Sequence, residues 1–239
     1  LPETLCYATD MCGRYTVSNP KKVLSEVLEG DDCQQMEPRY NVAPNQMAPV
    51  VVSGPNGTRH VLKMMWGFIL QGPSNDGRGG PVINARAETA AEKPLFRDSV
   101  RSMRCVVAAD GFYEWQRIDG SKQPYLVRLT SGTPFGFAGL WNRRQTLSGQ
   151  TLETFTILTT TANRLIASLH DRMPIILGRR NRRLWLDSAS GSGVLSDLLE
   201  PFPAEKMETF AVSNRVNDPR HDGPACVEPV SIQHRRTLF

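Results

Sequence analysis

Short segments rich in β-branched and aromatic residues recur along the chain: APVVVS (48–53), HVLKMMWGF (60–68), MRCVVAADGFYEW (103–115), PYLVRL (124–129), FGFAGLW (135–141), ETFTILTT (153–160) and ETFAVS (208–213). Each is bounded by Gly, Pro or Ser and reads as one strand. Their spacing is irregular and interrupted by a few helices, a pattern that does not suggest regular βαβ winding. The pattern predicts a curved, barrel-like, mostly antiparallel sheet in one mixed α+β domain, with helices at its periphery. SNPKKVLSEVLEG (18–30) reads as an early helix, with Ser18 or Asn19 as cap, Pro20 in the first turn and Gly30 at its end. TANRLIASLH (161–170), RRNRRLWLD (179–187) and GVLSDLLEP (193–201) are the expected later helices, and 71–81 and 187–193 read as surface loops.

At 239 residues and 40% hydrophobic content the chain is long enough to bury a substantial core. No apolar run approaches the roughly 20 residues that span a bilayer. The first ten residues, LPETLCYATD, carry two acids and no base, unlike a secretory or transit peptide, so an intracellular protein is expected. Cys6, Cys12, Cys33, Cys105 and Cys226 are odd in number and scattered, which favours reduced thiols over a disulfide framework or zinc knuckle. His60, His221 and His234 lack ligand spacing, and no metal or cofactor is expected. A net charge of +4 permits a polyanionic partner without requiring one.

Four short segments carry groups able to do chemistry: MCGRY, INARAET, DGFYEW and LHDRMP. Cys12 is a nucleophile by type, Asn84 a neutral orienting group, Glu114 an acid or base among aromatic residues, and His170 a group that titrates near neutrality. Singly, each also has a structural reading. Cys12 is then an inert thiol, Glu114 the polar face of a strand, and His170 a cation at a helix end. Spacing alone does not choose. The basic runs GRRNRR (178–183), NRR (142–144) and HRR (234–236) read as solvated faces.

Taken together and in order, MCGRYT, RYNVAPNQ, MMWGF, INARAET, RCVVAADGFYEW, HDRMPIIL and AVSNRVND resemble the SRAP family of SOS-response-associated peptidases, also called abasic-site processing proteins. The resemblance runs from residue 11 to about residue 230. It implies a mixed α/β domain around a barrel-like core. It also implies binding of single-stranded DNA, or junctions with duplex, at an abasic site, and covalent capture of the lesion by an N-terminal cysteine. By this resemblance Cys12, Asn84, Glu114 and His170 are the catalytic set. Arg14 and Arg86 would grip phosphates, and Trp66, Gly67 and Phe68 would stack on or wedge between bases. Asn41 and Pro44 would shape the DNA path, with Thr159 a weaker polar contact. A monomer is expected, with no membrane partner.

The sequence departs from the family pattern at its start. Residues 1–10 precede the family's beginning, leaving 11–230 as the domain and 231–239 as a basic tail. An amine condenses with the open-chain aldehyde of an abasic sugar, and a neighbouring thiolate then closes a thiazolidine. While residues 1–10 remain attached, the Cys12 nitrogen is locked in a peptide bond. The extension reads as a cloning remnant, as a leader removed between Met11 and Cys12, or as the mark of a member that does not crosslink. Two other functions stay open: a cysteine-dependent peptidase acting on itself or on other chains, and a noncatalytic reader of damaged DNA.

Overall fold

The computed structural model describes residues 12–28, 36–54, 56–69, 81–118, 120–145 and 149–231. The expectations for residues 1–10, for Gly30, for most of the 71–81 loop and for the tail beyond 231 fall outside these. The elements run β1 (Tyr15–Val17), α1 (Pro20–Leu28), β2 (Arg39–Val42), β3 (Met47–Ser53), β4 (Arg59–Trp66), β5 (Asn84–Arg86), α2 (Ala87–Ala90) and α3 (Arg97–Ser102). They continue with β6 (Arg104–Ala109), β7 (Gly111–Ile118), β8 (Ser121–Leu129), β9 (Phe135–Gln145), β10 (Thr151–Thr161), β11 (Arg172–Pro174) and β12 (Ile176–Leu177). The last are α4 (Arg179–Leu186), α5 (Ser192–Asp197) and β13 (Met207–Ala211).

Five strands close on themselves. β4, β3, β6, β9 and β10 pair antiparallel in that order, and β10 returns to β4 in parallel. Closure leaves no free edge along that circuit. β5 lies parallel to β10 on the wall, with Asn84 opposite Ile157 and Arg86 opposite Thr159. A second sheet, β13-β8-β7-β1-β2, is antiparallel throughout and packs against the barrel. Aromatic rings join the two. Tyr15 of β1 meets Trp66 edge-on at 5.2 Å between centroids and Phe137 at 6.0 Å, and Phe112 of β7 meets Phe137 at 5.9 Å. Burying side chains of this size is worth roughly 1.5–3 kcal/mol each, so the core also holds the sheets in register.

MRCVVAADGFYEW, expected as one strand, is two strands in different sheets. The chain leaves the barrel at Asp110, whose carboxylate accepts from the Thr16 hydroxyl, the Ser18 amide and hydroxyl (2.8 and 2.7 Å) and the Asn19 amide (3.1 Å). At Gly111 a Cβ would stand 2.9 Å from Thr16 Oγ1 and 3.0 Å from a Leu126 methyl, so the crossing needs glycine's bare backbone. TANRLIASLH, expected as a helix, yields only a 3-10 turn at Ile166–Ser168. Asn163 explains this: its Oδ1 accepts from the Leu165 and Ile166 amides, and its Nδ2 donates to Phe202 O. With β10 running on through Thr161 and β11 beginning at Arg172, a start capped at Asn163 leaves room for little more than one turn.

α1 forms as expected: Asn19 Oδ1 accepts from the Lys22 amide at 3.1 Å, and Val23, Leu24, Val27 and Leu28 bury one face. In α4 the basic run is not wholly solvated. Arg182 is buried and reaches back to α1, donating to the Glu26 carboxylate at 2.8 Å and its carbonyl at 2.9 Å. Among the described residues no helix is long and apolar enough to cross a membrane.

Candidate active site

The pairing of β1 with β7 sets the site. Tyr15 lies opposite Phe112 and Thr16 opposite Gly111, and the Tyr113 amide donates to Arg14 O at 3.0 Å. Continuing that ladder brings the segment before β1 alongside Glu114. The Asp110 clasp on residues 16–19 holds the same segment from the other end.

Cys12 is buried and its thiol free. Asn84 Nδ2 donates to the Cys12 carbonyl at 3.0 Å, while Asn84 Oδ1 is buried without a partner. Glu114 is 2% exposed. Loss of water pushes its carboxyl up to about 8, against the backbone hydrogen bonds it receives from Cys12 and Trp115, and the charge of Asp171 adds to the rise. Glu114 Oε1 has no partner. The Cys12 thiol is also pushed well up, chiefly by burial and then by Glu114. Cys12, Asn84 and Glu114 therefore meet at one point, with two buried acceptor oxygens unused.

His170 follows the 3-10 turn, and its loop faces β7: Gln116 Nε2 donates to Ser168 O at 3.5 Å. Nδ1 of His170 is engaged within its own segment, at 2.9 Å from the Arg172 amide and 3.0 Å from Asp171 Oδ1. Arg172, which the sequence reading did not single out, ties this loop to the barrel. Its guanidinium grips both Glu88 oxygens at 2.7 and 2.8 Å and donates to Thr159 O at 2.7 Å. Glu88 is correspondingly held below the usual carboxylate range. The signal was present in the sequence, since Arg172 stands two positions after His170 in the same motif.

The residues expected to meet DNA divide in two. Arg86 is exposed at the end of β5, and Pro44 is half-buried in the turn before β3. Arg14 is partly buried: Nη1 donates to Gly13 O at 3.1 Å, Nε is buried without a partner, and burial lowers the guanidinium's pKa against the pull of Asp218. The others face inward. Trp66 and Phe68 do not offer their rings to bases in this arrangement, because both are core. Trp66 Nε1 donates to Ile83 O at 2.9 Å and its ring stacks on Phe155, while Phe68 packs edge-on against Phe96. Gly67 between them is buried as well; its φ is +142° and a Cβ would stand 2.6 Å from Pro81 Cβ, so glycine here serves the backbone path. Asn41 is a clasp, its Nδ2 shared by the carbonyls of Val216, Asp218 and His221 at 2.9–3.1 Å. Thr159 is buried and supports Arg172 through its carbonyl.

Among the described residues, no three His, Cys, Asp or Glu side chains cluster in a way that could hold a metal ion. Residues 11–219 match the model of the SOS response associated peptidase (SRAP) family. The abasic site processing protein YoqW of Bacillus subtilis is 38% identical over 226 residues, covering 91% of this chain and 99% of the relative. The abasic site processing protein HMCES of Xenopus tropicalis is 30% identical over 236 residues, covering 86% of this chain and 70% of the relative. A crystal structure of a protein from Bacteroides thetaiotaomicron superposes with a TM-score of 0.79 at 26% identity, covering 92% of this chain and all of that one.

Proposed function

The chain belongs to the SOS response associated peptidase family, and on that footing we propose that it processes abasic sites in DNA by covalent capture at Cys12. The observation that carries the reading is the meeting of the Cys12 backbone nitrogen with a buried carboxyl poised near neutrality, Glu114. With Cys12 as the first residue, that nitrogen is the α-amine. The amine adds to the aldehyde carbon of the open sugar, and water leaves as the imine forms. The thiol sulfur then bonds to the same carbon, its proton passing to nitrogen, which completes a five-membered thiazolidine.

Each neighbour suits one step. Glu114, tuned close to the working pH, takes a proton from the amine and returns it to the departing oxygen. Asn84 Oδ1, an unused buried acceptor, orients the amine without competing for its proton. His170 protonates the sugar ring oxygen as it opens. Arg86 and Arg14 meet the flanking phosphates of a single strand. A peptidase reading draws less support, because burial and the nearby Glu114 hold the Cys12 thiol protonated.

The test mixes a single-stranded oligonucleotide carrying one abasic site with the protein, as the full chain and as the chain beginning at Cys12. An SDS-resistant adduct from the form beginning at Cys12, and none from the longer one, is expected. Tight binding without adduct from either form would move the assignment to a noncatalytic reader.

A further inference from the structure

Arg117 of β7 and Lys122 of β8 stand directly opposite each other in the antiparallel ladder, and both are exposed. Paired positions hold their Cβ atoms about 4.5–5.5 Å apart on one face, and like charges placed so destabilise a sheet. Among the described residues neither side chain has a hydrogen bond or ion pair to offset the repulsion. The face they share is that of Arg14. β1 and β7 pair Tyr15 with Phe112, and the next pair, joined by the Tyr113 amide and Arg14 O at 3.0 Å, sets Arg14 beside Tyr113. Alternation along β7 then puts Arg14, Tyr113, Trp115, Arg117 and Lys122 on one side of the sheet. The ladder begins at the reacting residue, since Cys12 precedes Arg14 by two positions and its amide donates to Glu114.

Trp115 is half-buried in the middle of this face. Its Nε1 donates to Asn217 Oδ1 at 2.7 Å and its ring meets Tyr113 at 6.5 Å, which fixes the ring's orientation. Arg215, exposed on the same 3-10 turn as Asn217, adds a third cation whose side chain has no partner among the described residues. The acid at this edge, Asp218, is held by Arg220, whose Nη2 stands 2.6 Å from it. We propose that this face, running from Arg14 past Trp115 to Arg117, Lys122 and Arg215, is the track along which one flank of a single DNA strand leaves the site. A polyanion is the partner that turns the repulsion between Arg117 and Lys122 into attraction. An indole set among cations binds single strands without reading sequence, because bases stack on the ring while phosphates meet the charges. From Tyr113 to Arg117 the strand advances about 13 Å, so the track engages nucleotides beyond the one next to the lesion.

The track rests on the reading of the site as one for abasic DNA, and its test separates the two. The probe is a single strand with a tetrahydrofuran in place of the abasic sugar, which has no aldehyde and so reports binding without capture. It is prepared with long flanks on both sides and with either flank trimmed. Arg117→Gln combined with Lys122→Gln removes two exposed charges that repel each other, so the variant should fold with an undiminished Tm. In the chain beginning at Cys12, the double variant is expected to lower the slope of log affinity against log salt by about 1.4. Affinity should fall roughly tenfold for strands that keep one particular flank, and stay level once that flank is trimmed. The exchange of Arg117→Lys with Lys122→Arg preserves the charges and should keep the full slope. A full slope in the double glutamine variant, or an equal loss whichever flank is trimmed, overturns the track. If the unaltered chain beginning at Cys12 binds the probe but forms no adduct with a true abasic site, covalent capture fails while the flank and salt dependence still decide the track. A chain that binds neither strand overturns both.

Discussion

Asn84 Nδ2 donates to the Cys12 carbonyl across 72 positions of sequence, so the barrel wall holds the segment that begins the site. Asn84→Ala leaves that buried carbonyl without its donor, which costs roughly 1–3 kcal/mol. Urea denaturation should show this loss, and adduct formation should slow with it. Unchanged stability and rate together would make Asn84 a bystander.

Glu114 imposes a pH dependence on stability. Its folded pKa, about 8, lies above the ordinary 4.5, so between those values the native state binds more protons than the unfolded chain. Its contribution to stability is complete below about 4.5 and is lost as the pH rises through about 8, by up to ~1.4 kcal/mol per pH unit. Glu114→Gln should flatten that slope in denaturation curves collected from pH 5 upward. The same variant should slow adduct formation while keeping DNA affinity.

Cys12→Ser retains an amine but exchanges the thiol for a hydroxyl, which closes a far more labile ring. In the chain beginning at position 12, noncovalent binding should persist and the SDS-resistant band should disappear. A band of full intensity would show that the amine alone holds the lesion.

Because the Trp66 ring is core, Trp66→Ala should act first on the fold. A loss of roughly 3–5 kcal/mol is expected, visible as a lowered Tm before any DNA is added. Weaker DNA binding at unaltered stability would return Trp66 to the DNA path.

Arg86 is exposed beside the site, and Arg86→Gln should weaken binding of single strands of any sequence. If it meets one phosphate, the slope of log affinity against log salt should fall by about 0.7. Retention of the full slope would remove Arg86 from the contact.

Local sequence names Cys12, Asn84, Glu114 and His170 as groups able to do chemistry, but leaves each a structural reading; only the resemblance joined them as one set, and the structure brings Cys12, Asn84 and Glu114 together. The inward residues were misread for a related reason. Trp66 and Phe68 flank a glycine as a protruding loop would, and local sequence does not say whether such rings face water or the opposite wall. Asn41, which the resemblance assigned to the DNA path, is buried with its Nδ2 on carbonyls of the 216–221 loop, contacts about 175–180 positions away that local sequence does not show.

The sequence by itself determined the short strands, the first helix and the mixed barrel-like class, because alternation, caps and β-branched runs act over a few residues. Tertiary structure alone decided that the 103–115 segment changes sheets, since that turn rests on the Asp110 contacts with residues 16–19 and on the space denied to any Cβ at 111. It also decided the proton affinities of Cys12 and Glu114. Those follow from the exclusion of water and the approach of backbone amides, which strands distant in sequence create only after they have closed into a barrel.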